Sequence, residues 1–245
     1  MQRRRSNIFR TSSAILAIAL LVSLQGSCSK PKSLEEQRAT MVRTQIKNRG
    51  IKDEAILRAF GAVPREEYVI EKYRKHAYDD LEAPSGFGQS LDRPFENAIM
   101  IQALEVGPEN KVLEVGTGSG YLASLLAQIA KEVYTIEIEA EIAEDARQRL
   151  KKLGFENITV KTGDGFVGWK EHAPFDAIVM AASPNRIPGP IAKQLAEGGR
   201  LVLPLGGSEK FQQLVLFIKK NGRMVEKMKL SPTSFVPMKG KILEE

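Results

Sequence analysis

Val112-Leu113-Glu114-Val115-Gly116-Thr117-Gly118-Ser119-Gly120-Tyr121 decides the fold, because a run of buried-strand character passes directly into three alternating glycines and a helix start. Such a turn lets the backbone approach a nucleotide-like ligand, and the open N-terminus of the following helix favours polar or anionic groups. The dinucleotide fingerprint G-x-G-x-x-G would want glycine or alanine at position 121, where this chain has Tyr121. Glu137 ends the next strand-like run, placed to accept hydrogen bonds from ribose hydroxyls. Thr162-Gly163-Asp164-Gly165 follows the third run at the same carboxyl edge, with Asp164 expected to accept from an adenine amino group. Two readings stay open for each element, a plain turn with solvated acids or a nucleoside site, and the three together favour the second. Glu114, Glu137 and Asp164 would repel a dianionic pyrophosphate, whereas they suit a sulfonium cation bearing adenosine.

Outward from this turn, strand and helix alternate. The pattern predicts a helix from Phe95 to about Glu105, strand Lys111–Val115, helix Tyr121–Ala130, strand Val133–Glu137, helix Ala140–Leu153 and strand Ile158–Lys161. Strand Phe175–Met180, helix Gly189–Leu195 and strand Arg200–Leu205 follow. Asn221-Gly222 between two further strand-like runs is a hairpin signal. The expected fold is α/β, a Rossmann-like, doubly wound, mostly parallel sheet with N-terminal helices and a C-terminal antiparallel hairpin.

Upstream, Met41, Val42, Ile46, Ile51, Ile56, Leu57 and Phe60 recur at helical spacings, with Gly50 suited to a helix C-cap and Asp53 to an N-cap. Val63 to Val69 reads as a turn into a short helix, and Ala83 to Pro94 as an irregular loop. The expected division is 1–28 as a signal-like segment, 29–40 as a polar tether or frayed helix start, and 41–245 as the folded domain.

The 245 residues carry a formal charge of +6, but Arg3, Arg4, Arg5 and Arg10 account for much of it, leaving 32 basic against 30 acidic side chains beyond residue 28. With no basic stripe interleaved with aromatics, a nucleic-acid partner is not expected. The arginines precede an apolar run from Ala14 to Leu24, too short to cross a bilayer as a helix and resembling an export signal. Cys28, the only cysteine, stands where a bacterial lipoprotein carries its lipid, although Gln25 departs from that pattern. Cleavage without lipidation, an uncleaved anchor and a true start at Met41 remain open beside lipidation. His76 and His172 lack metal-ligand spacing, so no metal is expected, and Trp169 reads as core.

These motifs resemble the protein-L-isoaspartate O-methyltransferase family of class I S-adenosylmethionine-dependent enzymes, from Met41 to about Gly240. The cofactor motifs alone indicate only a methyltransferase. The resemblance narrows on Ala62-Val63-Pro64-Arg65-Glu66, Ala77-Tyr78-Asp79-Asp80, Gly86-Phe87-Gly88-Gln89-Ser90, Pro174-Phe175-Asp176 and Phe235-Val236-Pro237. It implies a monomeric repair enzyme that uses S-adenosyl-L-methionine to methylate the carboxylate of isoaspartyl residues in damaged proteins. It further implies cofactor contacts from Glu114, Gly116, Gly118, Gly120, Glu137, Asp164 and Gly165, substrate contacts from Pro84, Gly86 and Gln89, and a cytoplasmic location where no export signal operates.

One position departs from the family. Its Gly-x-Gly-Gln-Thr-Ile-Ser-x-Pro reads Gly86-Phe87-Gly88-Gln89-Ser90-Leu91-Asp92-Arg93-Pro94, so Asp92 stands where the resemblance implies an active-site serine. Asp92 would serve as an N-cap for the following helix. As a carboxylate about 4 Å from the substrate carboxylate, it would cost up to ~4 kcal/mol at an effective dielectric of 20. Either Asp92 is protonated, Arg93 neutralises it, Ser90 takes over as the catalytic hydroxyl, or the substrate differs. An exported binding module without activity is the alternative reading of the chain.

Overall fold

Consecutive residues Val112 and Leu113 enter two different cores in the computed structural model, which describes residues 31–206 and 211–243. Cys28 and the export-like segment lie outside the described residues. Side chains alternate across a strand, and helices cover both sheet faces, so neighbouring apolar residues are both buried. Val112 and Val179 pack with Phe60, Leu104 and Leu125, while Leu113 and Ile178 pack with Phe166, Phe175 and Ile191. Each fully buried side chain of this size contributes roughly 1.5–3 kcal/mol.

Helix α1, Leu34–Met41, starts within the expected tether. Ser33 and Glu36 form a reciprocal capping box, with Glu36 N donating to Ser33 Oγ at 3.1 Å and Ser33 N to Glu36 Oε2 at 2.7 Å. Helical structure among the described residues therefore starts before Met41. Helix α2, Glu54–Ala62, is capped by Asp53 as expected, and Gly50 takes the left-handed conformation, with φ 107°. Two 3₁₀ turns, Arg65–Glu67 and Glu71–His76, follow.

The expected loop before Pro94 is instead a small hairpin. Strands β1, Ala83–Gly86, and β2, Gln89–Leu91, pair antiparallel around Phe87 and Gly88, whose φ values are 52° and 72°. Phenylalanine in a left-handed turn position gives no local hairpin signal. Helix α3, Pro94–Leu104, then leads into the sheet.

The sheet elements are β3 (Lys111–Val115), α4 (Tyr121–Ala127), β4 (Glu132–Glu137), α5 (Ala140–Lys152), β5 (Ile158–Thr162), β6 (Phe175–Met180) and α6 (Gly189–Gln194). Strands β7 (Leu195–Leu205), β8 (Gln212–Lys220) and β9 (Arg223–Thr233) complete it. Their order is β5-β4-β3-β6-β7-β8-β9, parallel through β7 and antiparallel beyond. Asn221 and Gly222, with φ 51° and 71°, turn β8 into β9 as expected. The order reverses between β3 and β6, where doubly wound sheets open a crevice at their carboxyl ends. Among the described residues, no helix is long and apolar enough to cross a membrane.

Candidate active site

A cavity of about 620 Å³ opens at this crevice. One wall is the glycine turn after β3 with the ends of β4 and β6, another is β2 with Asp92, and the third is the segment Ser234–Lys239. The glycine turn is held from below. Gly116 N donates to Ile136 O at 2.8 Å, and Gly118 N to Glu137 Oε2 at 3.0 Å. Glu137 Oε1 accepts from Glu139 N at 3.1 Å, so this strand-end acid shapes the turn while lining the cavity. A Cβ on Gly118 would meet no atom within 4 Å, which leaves open space beside the turn, at φ 50°.

Glu114 lies fully buried at the floor. Thr135 Oγ1 donates to its Oε2 at 2.5 Å, while Oε1 has no partner among the described residues. Burial pushes this carboxyl up to about 8; the Thr135 hydroxyl opposes the shift, and the charges of Glu137 and Asp92 add to it. Asn97 Oδ1, also buried on the cavity lining, likewise lacks a partner among the described residues. Unmatched polar atoms around an open space of this size mark a place for a polar ligand.

Asp92 does not cap α3, whose N-cap is Arg93 without a side-chain hydrogen bond. It lies on the cavity wall, where burial pushes it up to about 7; the Glu96 and Glu82 charges add to this and Arg65 opposes it. Arg93 is exposed, and the cation set beside Asp92 is the fully buried Arg65. Arg65 Nε donates to Ala77 O and Nη2 to Asp92 O, both at 2.8 Å. Ser90 and Gln89 also line the cavity.

The model of the protein-L-isoaspartate(D-aspartate) O-methyltransferase family matches residues 36–243. The chain belongs to that family. It is 44% identical over 198 residues to the protein-L-isoaspartate O-methyltransferase of Gloeobacter violaceus, covering 81% of this chain and 96% of the relative. To the enzyme of the same name from Koribacter versatilis it is 46% identical, covering 83% and 90%. A solved protein-L-isoaspartate O-methyltransferase superposes with TM-score 0.76 at 27% identity, over 84% of this chain and 67% of the other. A putative member from Plasmodium falciparum, solved in complex with S-adenosyl-L-homocysteine, gives TM-score 0.71 at 25% identity, over 82% and 98%.

Against this methyltransferase framework, four expected contact residues lie off the cavity lining. The carboxylate of Asp164 is engaged within the chain: Oδ1 accepts from Phe166 N and Oδ2 from Lys241 N, each at 2.8 Å. Asp164 therefore anchors the C-terminal segment, and Gly165 beside it reaches the cavity. Gly120, at φ 87°, packs toward Leu150 of α5. Pro84 and Gly86 sit on β1, with Pro84 paired to Ser90 across the hairpin. The remaining expected residues, Glu114, Gly116, Gly118, Glu137, Gln89, Ser90 and Asp92, all face the cavity.

Sequence reasoning missed Asn97, Arg65 and Lys239 as parts of this site. Asn97 was detectable as a polar residue on the buried stripe of α3. Lys239 Nζ pairs with Glu139 Oε1 at 2.8 Å, joining residues 100 apart across the cavity rim. The family's adenosyl cofactor suits this site: there is open space beside the glycine turn, Glu137 lines the same cavity, and Glu114 offers a carboxyl oxygen without a partner among the described residues.

Proposed function

We infer that the protein methylates the carboxylate of L-isoaspartyl residues in damaged proteins, with S-adenosyl-L-methionine as cofactor. One observation carries this reading: a single cavity is walled by the glycine turn on one side and by the β2 strand with Asp92 on the other. The cofactor, held by the glycine turn and Glu137, would supply its methyl group to an isoaspartyl oxygen and keep the electron pair of the broken carbon–sulfur bond on sulfur, with no proton moved.

The chain's own residues have four tasks. The turn Gly116–Ser119 and Glu137 hold the cofactor in one orientation, and the buried Glu114 sets its carboxyl where a cation binds, whose charge favours the ionised form. The segment Ser234–Lys239 covers the cavity and excludes water. Strand β2 presents the substrate backbone. A carboxylate with an ordinary pKa near 4 is already ionised at neutral pH, so no general base is required. The inactive-module reading is not favoured, since the family model matches residues 36–243 and an enzyme of that name is 44% identical over 198 residues.

The experiment is methyl transfer from labelled cofactor to paired peptides that differ only in an isoaspartyl or aspartyl linkage. Base-labile ester on the isoaspartyl peptide alone supports the reading, and equal or absent labelling overturns it. Residues 1–28 complete the proposal: they export the chain, Cys28 carries a lipid that attaches it to a membrane, and the enzyme acts as a monomer. The arginine-rich start, the apolar run and the position of Cys28 support this. Fractionation of the full-length protein with mass analysis of Cys28, and light scattering of the enzyme, test these points; intact residues 1–28 in a wholly soluble fraction would overturn export.

A further inference from the structure

Where the hairpin meets the glycine turn, Asp92 has three carboxyl groups, Glu82, Glu96 and Glu114, as charged neighbours and one buried cation, Arg65, beside it. Asp92 follows β2, Glu82 precedes β1, Glu96 lies in the first turn of α3, and Glu114 lies on β3. Glu82, Asp92 and Glu114 line the cavity, and Glu96 Oε1 accepts from Thr233 Oγ1 at 2.9 Å. Glu137 on β4 faces Glu114 from the far side. Tyr121 on α4 lies under the Arg65 guanidinium, 5.0 Å from ring centroid to Cζ. Arg65 engages backbone carbonyls through Nε and Nη2, including that of Asp92 itself, and so fixes the backbone from which the short Asp92 side chain projects.

The acceptor in methyl transfer is an ionised carboxylate that must enter this group of acids. Two carboxylates in contact cannot both stay ionised at low energy, whereas a carboxylic acid and a carboxylate sharing one proton form a strong hydrogen bond. We propose that Asp92 receives the substrate as a neutral carboxylic acid, donating its O–H to one oxygen of the isoaspartyl carboxylate while the other oxygen takes the methyl group. The proton stays on Asp92 throughout, so Asp92 holds the acceptor and makes substrate binding depend on pH. This rests on the methyltransferase reading above. The raised titration of Asp92, to about 7, agrees with it, and a bound anion raises it further. Above that pH the free enzyme carries ionised Asp92, and binding an isoaspartyl peptide must take up a proton.

The test is calorimetric titration at pH 8.5 of an isoaspartyl peptide into the full enzyme saturated with S-adenosyl-L-homocysteine, in two buffers of different ionisation enthalpy. The parent is expected to take up close to one proton per peptide, and its affinity to fall about tenfold per pH unit above the Asp92 titration. Asp92→Asn keeps a neutral donor and leaves Glu114 in place, so its uptake is expected near zero and its affinity flat with pH. Asp92→Ser, shorter but also a donor, is expected to behave like the asparagine variant. Equal uptake in parent and Asp92→Asn, or none in the parent, overturns the proposal. A parent that binds isoaspartyl and aspartyl peptides alike, or neither, instead overturns the function and the proposal with it.

Discussion

The phenolic hydroxyl of Tyr68 donates to Ser124 Oγ at 2.6 Å, and Ser124 Oγ donates in turn to Gly120 O at 2.8 Å. The N-terminal helical segment is thereby tied to the last glycine of the cofactor turn. All three groups are buried, so removing the Tyr68 hydroxyl leaves Ser124 short of a donor at a cost of about 1–3 kcal/mol. Tyr68→Phe is expected to lower the melting temperature by roughly 2–4 °C per kcal/mol lost. Tyr68→Phe and Ser124→Ala are expected to be non-additive in a double-mutant cycle followed by thermal unfolding, and additive losses would mean that the two groups act independently.

Glu137 supports the turn from inside the cavity. Glu137→Ala removes the acceptor for Gly118 N and Glu139 N together with a carboxylate on the cavity lining. Binding of S-adenosyl-L-homocysteine to the domain from Ser33 is expected to weaken at least about tenfold, or about 1.4 kcal/mol. Calorimetry with unchanged affinity would remove Glu137 from the cofactor site.

Glycines 118 and 165 separate binding from folding. A Cβ on Gly165 would fall 2.4 Å from Val115 Cγ1, so Gly165→Ala is expected to destabilise the fold by about 1–3 kcal/mol. Gly118→Ala meets open space but a left-handed φ, a smaller penalty of about 1 kcal/mol, and its methyl enters the cofactor space. Urea unfolding and cofactor titration are expected to rank the two variants in opposite order.

The raised pKa of Glu114 makes unliganded stability depend on pH. With its folded value near 8, above the ordinary 4.5, the folded state holds the proton more tightly than the unfolded chain. Stability is therefore highest below about pH 4.5 as far as this group is concerned, declines as pH rises toward 8, and is flat above. Asp92 contributes in the same direction up to about 7. Glu114→Gln is expected to gain stability relative to the parent at pH 9 and to lose that advantage at pH 5, read by urea unfolding at both values.

Lys239 and Glu139 close the rim by an exposed ion pair, which adds little to folding because water and salt screen it. Lys239→Ala is expected to leave the melting temperature nearly unchanged and to raise the dissociation rate of S-adenosyl-L-homocysteine severalfold, an effect that disappears in high salt. Stopped-flow dissociation at two salt concentrations reads this directly, and an unchanged rate would exclude the rim as a latch.

The parallel sheet, its carboxyl-edge glycine turn and the Asn221-Gly222 hairpin were legible in the chain because each rests on local rules: side-chain period, glycine at positive φ, and a two-residue turn. The capping box of Ser33 and Glu36 is equally local, and its three-residue spacing would have placed the start of α1. Tertiary structure alone decided the rest. Asp164 follows β5 by a local rule, but that its carboxylate also accepts from the backbone of Lys241, 77 residues away, is set by the fold. Phe87 takes φ 52° at the turn of the hairpin, a conformation that its side chain does not favour locally. The charge state of Asp92 depends on Arg65, Glu82 and Glu96, brought together from three separate elements, because a pKa follows burial and neighbouring charge in space and no spacing along the chain encodes either.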